Sequence, residues 1–279
     1  MPDLSIDATR LAAVALAEDG GLDLTTAVTV RQPVAGEAVL EARTPCVVSG
    51  LLYAEVTARV AGCAIAWSVQ EGDEVPAGPL GGIRGDLAAI LRAERPALNM
   101  LQRAAGIATA ARAFVRRLEG TTCRVLHTRK TAPGLRFLDA AAVVAGGGAI
   151  HRLDLAHTVM VKDNHWRALE REQRGLGAAL AAARARGAIA CQVEVETELQ
   201  VVEACRAGAD RLLIDNQEPD IVGRWTGIAR ALAPMVAIEA TGGITLDNCR
   251  AYADAGADFV SVGGLTHSVV AVDIALELV

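Results

Sequence analysis

From about residue 120 onward, hydrophobic and polar positions fall into a regular alternation. Apolar runs at residues 123–128, 158–163, 189–196, 211–216, 235–240 and 259–263 predict buried strands. Between them, the alanine-rich stretches 135–145, 167–186, 198–207 and 246–255 predict amphipathic helices. Repeated βα units imply parallel strands joined by right-handed crossovers. The first hundred residues lack that rhythm. Residues 7–18 put Leu11, Val14 and Ala15 on one helical face, and Gly20-Gly21 supply the stop. Residues 38–75 alternate short β-prone runs with glycine and proline. Residues 87–118 read as helix, with Leu98, Leu101, Ala105 and Ala108 at core spacing and Pro96 opening its second part.

The ends of the predicted strands separate two α/β architectures. The first strand runs into Thr128-Arg129-Lys130 and the second into Lys162-Asp163-Asn164. The third contains Glu194 and Glu196, which share a face at period two. The fourth ends at Asp215-Asn216, the fifth at Glu239 and then Thr241-Gly242-Gly243, the last at Ser261-Val262-Gly263-Gly264. In an open sheet these residues would spread along an edge. In a βα barrel they converge on one mouth, where such folds do their chemistry, so a barrel is favoured. The glycine pairs Gly242-Gly243 and Gly263-Gly264 follow the final two strands, where barrels commonly hold a phosphate on main-chain N–H groups. Gly146-Gly147-Gly148 follows a helix and reads as a helix stop.

Composition narrows the chemistry. Hydrophobic residues make up 52% of the chain and aromatics only 3%, a well-packed globular composition. A net charge of -6 argues against nucleic acid as the main partner. It leaves room for a local basic pocket around a small anion. Six cysteines without CxxC spacing read as buried free thiols in a reducing compartment. No apolar run is long enough to span a bilayer and the N-terminus has no signal core, so a cytoplasmic location is expected. Beside twenty-five arginines the chain keeps two lysines, Lys130 and Lys162. Arginine is a planar fork and lysine a compact point charge, so both lysines are expected where arginine would not fit.

Arg129, Lys130, His151, Arg152 and Lys162 gather cations near the strand ends, which points to a substrate with several negative charges. Opposite them, Glu194, Glu196 and Asp215 could bind sugar hydroxyls, hold Mg2+ through oxygen, or stabilise a developing positive charge. Charge balancing inside the barrel is the plain alternative. Function is favoured for Glu194 and Asp215, while Glu196 stays open. His151 suits a polar site, and His127 could orient the Arg129-Lys130 pair. His157, His165 and His267 fit turns or caps. No transition-metal spacing and no Ser/His/Asp arrangement occurs. The turn at 71–78 resembles that of biotinyl and lipoyl carrier domains, but no lysine precedes residue 130, so a carrier role is excluded.

Seven motifs occur in one order: Glu94-Arg95-Pro96-Ala97-Leu98-Asn99, Thr128-Arg129-Lys130-Thr131-Ala132-Pro133-Gly134, His151-Arg152-Leu153, Lys162-Asp163-Asn164-His165, Val193-Glu194-Val195-Glu196, Leu213-Ile214-Asp215-Asn216 and Gly242-Gly243-Ile244-Thr245. That order closely resembles the quinolinate phosphoribosyltransferase family, from about residue 16 to residue 268. The resemblance implies an N-terminal α/β sandwich-like domain (1–108), an incomplete α/β TIM-like barrel (109–268), and a C-terminal segment (269–279) packing back on the first. It implies that quinolinate and phosphoribosyl pyrophosphate give nicotinate mononucleotide, pyrophosphate and CO2 with Mg2+, in de novo NAD synthesis. It also implies a homodimer in which Arg95 reaches the partner's site. By the same resemblance, Arg129, His151 and Arg152 match positions for the quinolinate carboxylates, with Thr128 beside them. Lys130 and Lys162 match lysines near the phosphoribosyl and pyrophosphate groups, and Glu194 and Asp215 match acids near ribose and metal. Thr241, Gly242, Gly243, Gly263 and Gly264 match the 5′-phosphate loops.

The chain departs from the family pattern at three of these places. His127 stands where an acid is usual, Thr241 where serine is usual, and Gly264 where alanine is usual. Three alternatives compete with the family activity. One is the related branch associated with molybdate-transport operons. Another is a lyase using Lys130 or Lys162 as a Schiff base. The third is a non-catalytic phosphometabolite binder.

Overall fold

The computed structural model describes residues 3–279. It divides into two compact units that are not contiguous in sequence. One holds the chain up to Arg112 together with Lys130–Gly148 and Gly264–Val279; the other holds Ala113–Arg129 and Ala149–Gly263.

The first unit opens with α1 (Leu4–Glu18) and α2 (Leu24–Thr29), capped by the Asp3 and Asp23 carboxylates. Then come β1 (Ala35–Ala42), β2 (Cys46–Val47), α3 (Leu51–Ala61), β3 (Ala64–Trp67), β4 (Glu74–Val75) and β5 (Gly78–Asp86). The long helix α4 (Leu87–Arg117) follows. Strands β12 (Ile274–Leu278), β1, β5 and β3 form an antiparallel sheet in that order, with Leu40 opposite Leu276 across the β1–β12 pair. Leu40, Leu80, Leu98, Leu101 and Ile274 lie in one buried cluster, so the last strand belongs to the same core as the first. Residues 38–75 form strands only in part: Leu51–Ala61 is the helix α3, which their β-prone runs do not predict, and it buries Leu51, Tyr53, Ala54 and Val56.

Pro96 does not open a second helix; α4 runs unbroken through it. One main-chain hydrogen bond is lost there. The carbonyl it would have used belongs to exposed Arg92, and buried Ala97, Leu98 and Leu101 hold the helix on the core.

The second unit contains β6 (Arg124–Leu126), β7 (Thr158–Val161), α6 (Asp163–Arg171), α7 (Leu176–Ala185), β8 (Ala190–Val195) and α8 (Glu198–Arg206). It continues with β9 (Arg211–Asp215), α9 (Pro219–Leu232), β10 (Ala237–Thr241), α10 (Cys249–Asp254) and β11 (Phe259–Ser261). All six predicted strands are present, in one parallel sheet of order β6-β11-β10-β9-β8-β7. This is an incomplete α/β barrel, open between β6 and β7. The helix between them in sequence, α5 (Arg136–Ala145), belongs to the first unit. A single parallel bridge, Leu126 to Ala149, stands at the open edge.

The predicted helix at 167–186 is two helices. Gln173 takes a left-handed φ of 52°, and Gly175 caps α7. The stretch 170–174, Glu-Arg-Glu-Gln-Arg, has no apolar residue to keep a helix on the sheet. Except for β10, which runs to Thr241, the strands are also shorter than predicted at their C-terminal ends; β6 stops at Leu126 and β8 at Val195. The missing residues lie where the chain leaves the ladder to build loops.

Candidate active site

Register places the site chemistry on one face of the barrel sheet. Parallel partners point the same way, and alternate residues along a strand point opposite ways. Glu194 and Glu239 both stand opposite Leu213, and Glu239 also stands opposite Phe259. Two residues earlier, Gln192 is opposite Arg211; two residues later, Thr241 is opposite Asp215. Arg211, Gln192, Glu194, Glu239, Asp215 and Thr241 therefore share the inward face. Val193, Val195, Leu212, Ile214, Ile238 and Ala240 fill the other face and are fully buried. Strands buried on both faces are expected beneath flanking helices. Here the inner face is polar, which costs stability unless each group finds a partner or a ligand.

One cluster is acidic, with a single cation. Lys162 caps α6, its N–H donating to His165 Nδ1 at 3.0 Å, and its Nζ ion-pairs with Glu194. Trp166 Nε1 donates to the Glu194 carbonyl at 2.9 Å, tying α6 to β8. Burial raises the Asp215 carboxyl above its ordinary value; Glu194 and Glu196 add to that, while Asn216 and Lys162 oppose it. Asn216 takes a left-handed φ of 52°, and its Nδ2 donates to Asp215 Oδ2 at 2.6 Å. Glu196 lies outside β8 and is exposed, so the expectation that Glu194 and Glu196 share a strand face does not hold. Its charge still reaches Asp215.

The second cluster is basic and rests on a buried chain of hydrogen bonds. The His127 N–H donates to the Ala149 carbonyl at 3.2 Å, and His127 Nδ1 accepts the His151 N–H at 2.9 Å. His151 Nδ1 accepts the Arg152 N–H at 2.8 Å, and His151 Nε2 meets Glu239 Oε2 at 3.0 Å. Arg211 donates to the same oxygen at 2.9 Å, with its guanidinium 4.2 Å from the Phe259 ring centroid. Glu239 is 1% exposed. Burial alone would raise its carboxyl, but His151, Arg211 and Ser261 together hold it below the ordinary value. Arg152 is half-buried, and burial and the nearby Arg129 charge lower its pKa. Arg129 Nε is buried with no hydrogen-bond partner among the described residues. A buried donor without an acceptor is a place for a ligand's oxygen.

Among the glycines, Gly242 and Gly243 have φ of 81° and 61°, so the Thr241-Gly242-Gly243 turn needs glycine. A side chain at Gly242 would overlap Asn216, whose N–H donates to the Thr241 carbonyl at 2.9 Å. Gly263 follows β11, and Gly264 opens the short α11 (Gly264–His267) of the first unit. A Cβ at Gly264 would meet nothing within 4 Å, so the alanine usual at this place would fit as well. Thr128 and Arg129 belong to the barrel unit, whereas Lys130 begins the segment that joins the first unit. There the Lys130 carbonyl accepts from Thr266 Oγ1 at 2.9 Å. Arg103 grips the buried Asp139 with two 2.8 Å bonds and donates to the Thr266 carbonyl at 2.9 Å. Arg95, also in the first unit, is exposed on α4 beside Glu94.

The strand-end signal thus located Lys162, Glu194 and Asp215 in one cluster, and Arg129, His151 and Arg152 in another. Arg211 was missed, and Glu239 and Ser261 were seen only as polar strand residues without a role. A charged residue inside an otherwise apolar strand was the available signal. His157 pairs with Asp154 on the surface and His267 with Ser268, as turn positions do. Among the described residues, no three His, Cys, Asp or Glu side chains are arranged to hold a metal ion. The acids near Lys162 offer hard carboxylate oxygens, which fits Mg2+ held by one or two carboxylates and completed by substrate oxygens. All six cysteines are free and buried, and burial pushes Cys123 up to about 12, so none is an activated nucleophile. Among the described residues, no helix is long and apolar enough to cross a membrane.

Comparison with known proteins gives the family. Residues 23–105 match the family model described as quinolinate phosphoribosyl transferase, N-terminal domain, and residues 107–277 match its C-terminal domain. The chain is 39% identical over 247 residues to a human nicotinate-nucleotide pyrophosphorylase [carboxylating], covering 87% of this chain and 82% of that one. It is 36% identical over 266 residues to the protein of the same name from Mycobacterium leprae, covering 92% of each. Its structure is similar to that of the nicotinate-nucleotide pyrophosphorylase from Francisella tularensis, with a TM-score of 0.90 and 30% identity over 99% of this chain and 97% of that one. This chain belongs to the quinolinate phosphoribosyl transferase family.

Proposed function

We propose that this chain transfers the phosphoribosyl group of phosphoribosyl pyrophosphate to quinolinate with loss of CO2, giving nicotinate mononucleotide and pyrophosphate for NAD synthesis. One observation carries the assignment: two neighbouring arginines, one with an unsatisfied buried donor, share a unit with an acid cluster whose Asp215 carboxyl is raised by burial and by Glu194. A pyridine dicarboxylate would neutralise the arginine pair with fork-like hydrogen bonds. A ribose gaining positive charge at C1 would be stabilised by the acids.

The pyridine nitrogen forms a bond to C1 as the C1–oxygen bond to pyrophosphate breaks, and pyrophosphate takes the electron pair. The ring becomes cationic and draws electrons from its 2-carboxylate, which leaves as CO2, and the ring carbon takes a proton. Arg129 and Arg152 hold the carboxylates; His151, expected beside them as a carboxylate ligand, has its ring nitrogens taken up by Glu239 and the Arg152 N–H. Lys162 exchanges its Glu194 contact for a phosphate oxygen, and the family resemblance assigns Lys130 to the phosphoribosyl and pyrophosphate groups. Glu194 and Asp215 face the ribose. Thr241, Gly242, Gly243, Gly263 and Gly264 seat the 5′-phosphate on main-chain N–H groups. Glu194 and Asp215 would hold Mg2+ together with substrate oxygens, and the ion would supply neutralising charge for the departing pyrophosphate. Positioning and electrostatics supply the rate, which suits a site without a nucleophilic triad.

Arg95 is assigned to a partner's site in a homodimer; its side chain is 56% exposed on α4, beside Glu94. The free thiols suit a reducing, cytoplasmic setting. A turnover assay tests the activity. Product and CO2 in equal amounts are expected from quinolinate with phosphoribosyl pyrophosphate, and none from nicotinate. Turnover of nicotinate alone would overturn the assignment.

A further inference from the structure

The segment carrying Arg152 hangs on two imidazoles in series. The His151 N–H donates to His127 Nδ1 at 2.9 Å, and the Arg152 N–H donates to His151 Nδ1 at 2.8 Å. Each Nδ1 is an acceptor, so in each neutral ring the proton sits on Nε2. For His151 that proton points at Glu239 Oε2, 3.0 Å away. Arg211 holds the same carboxylate at 2.9 Å, and Phe259 lies under the Arg211 guanidinium. The His127 side chain is fully buried and the His151 side chain is 6% exposed. Both His151 nitrogens are already used within the protein, and His127 is out of a substrate's reach.

We propose that His127 and His151 are positioning residues: they fix the main chain at Arg152, and Glu239 locks the second ring in the tautomer this requires. The inference rests on the proposed activity only in taking Arg152 as a carboxylate-binding group. The segment needs such support because it sits at the open edge of the barrel, where Ala149 makes a one-residue bridge to Leu126 and no strand continues the ladder. Main-chain N–H groups that a closed barrel would pair with a strand are paired here with ring nitrogens. Residue 127 therefore contributes an acceptor at one position in space. Its departure from an acid leaves the choice of substrate to Arg129 and Arg152.

The test uses the full chain and two readouts. Long-range 1H–15N NMR of the imidazoles is expected to show both rings as Nε2–H tautomers, with His151 unchanged in tautomer when quinolinate is added. A ring protonated on Nδ1, or a His151 ring that becomes imidazolium with quinolinate, overturns the proposal. Steady-state kinetics then separate acceptor from shape. His127→Leu removes the acceptor and should raise the quinolinate KM about tenfold, with kcat and the phosphoribosyl pyrophosphate KM within about twofold. His127→Asn can place an amide oxygen where Nδ1 stood and should restore the quinolinate KM. Equal damage by both variants overturns the proposal. Should His127→Leu not fold, the tautomers and His127→Asn still decide it. Should the wild-type protein not turn over quinolinate, the activity assignment fails by itself, and the tautomers still decide how the segment is held.

Discussion

Lys162 ion-pairs with Glu194 across the ends of two adjacent barrel strands, and its charge also reaches Asp215. The Lys162 side chain is 44% exposed and that of Glu194 only 8%, so the cation sits at the solvent side of a buried acid. A polyphosphate entering from solvent meets the ammonium first and competes with Glu194 for it. The ion pair is therefore an exchangeable contact, and its value lies in holding Nζ in place until substrate arrives.

A planar guanidinium cannot make that exchange from the same position. Lys162→Arg is expected to lower kcat/KM for phosphoribosyl pyrophosphate by about tenfold or more, roughly 1.4 kcal/mol of transition-state stabilisation. The melting temperature should change little, because arginine still places a positive charge beside the buried Glu194. Lys130→Arg should behave alike. Near-normal turnover in both variants would mean that the two lysines survive in this arginine-rich chain by chance.

Asp215 has a stability cost with a definite sign. Its folded-state pKa is raised, so the folded chain binds that proton more tightly than the unfolded chain does. Stability from this group is present below the ordinary carboxylate value and is lost as pH rises through the raised one. Asp215→Asn should therefore raise the melting temperature at neutral pH by about 2 °C. The gain should vanish below pH ~3, under the ordinary carboxylate value, where the wild-type acid is protonated in both states. Turnover should fall by roughly a hundredfold. A thermal-melt series against pH, set beside one assay, checks both signs.

Glu239 has the opposite linkage. His151, Arg211 and Ser261 hold its carboxyl below the ordinary value despite burial. Its contribution is present above the ordinary value and is lost as pH falls through the lowered one. Glu239→Gln leaves Arg211 without its buried counter-charge and should cost about 3 kcal/mol at neutral pH. The difference from wild type should shrink on acidification. Urea unfolding at two pH values measures it, and a pH-independent difference would contradict the charge-based account.

Two glycines should answer differently to the same change. Gly242→Ala forces a side chain into a left-handed backbone and onto Asn216, so it should lower stability by about 1–3 kcal/mol and weaken phosphoribosyl pyrophosphate binding. Gly264→Ala enters open space with no left-handed φ and should leave the melting temperature within about 1 °C. Melting curves with and without phosphoribosyl pyrophosphate separate the two.

Much of this was legible in one dimension. Apolar runs marked all six barrel strands, because the face turned to the flanking helices is buried along its whole length. Polar residues at the ends of those runs marked Lys162, Glu194 and Asp215. The helix 167–186 was misread because alanine-rich and charged segments share high helix propensity, whereas only a left-handed residue at Gln173 separates α6 from α7. Pro96 was misread because local geometry alone favours a helix start there, and buried neighbours overrode it.

By itself, the sequence determined the element types, the barrel rhythm, the family and the kind of chemistry, since each depends on residue types at short or fixed spacing. Only the tertiary structure decided which charges share a partner. Lys162 and Glu194 are thirty-two residues apart, and His151 and Glu239 are eighty-eight apart. Their meeting follows from strand register around the sheet, which no local pattern encodes. Tertiary structure also decided that residues 130–148 leave the barrel for the other unit, so that the barrel stays open between β6 and β7. At that opening two imidazoles take over main-chain pairing, because a buried N–H must find an acceptor wherever the ladder ends.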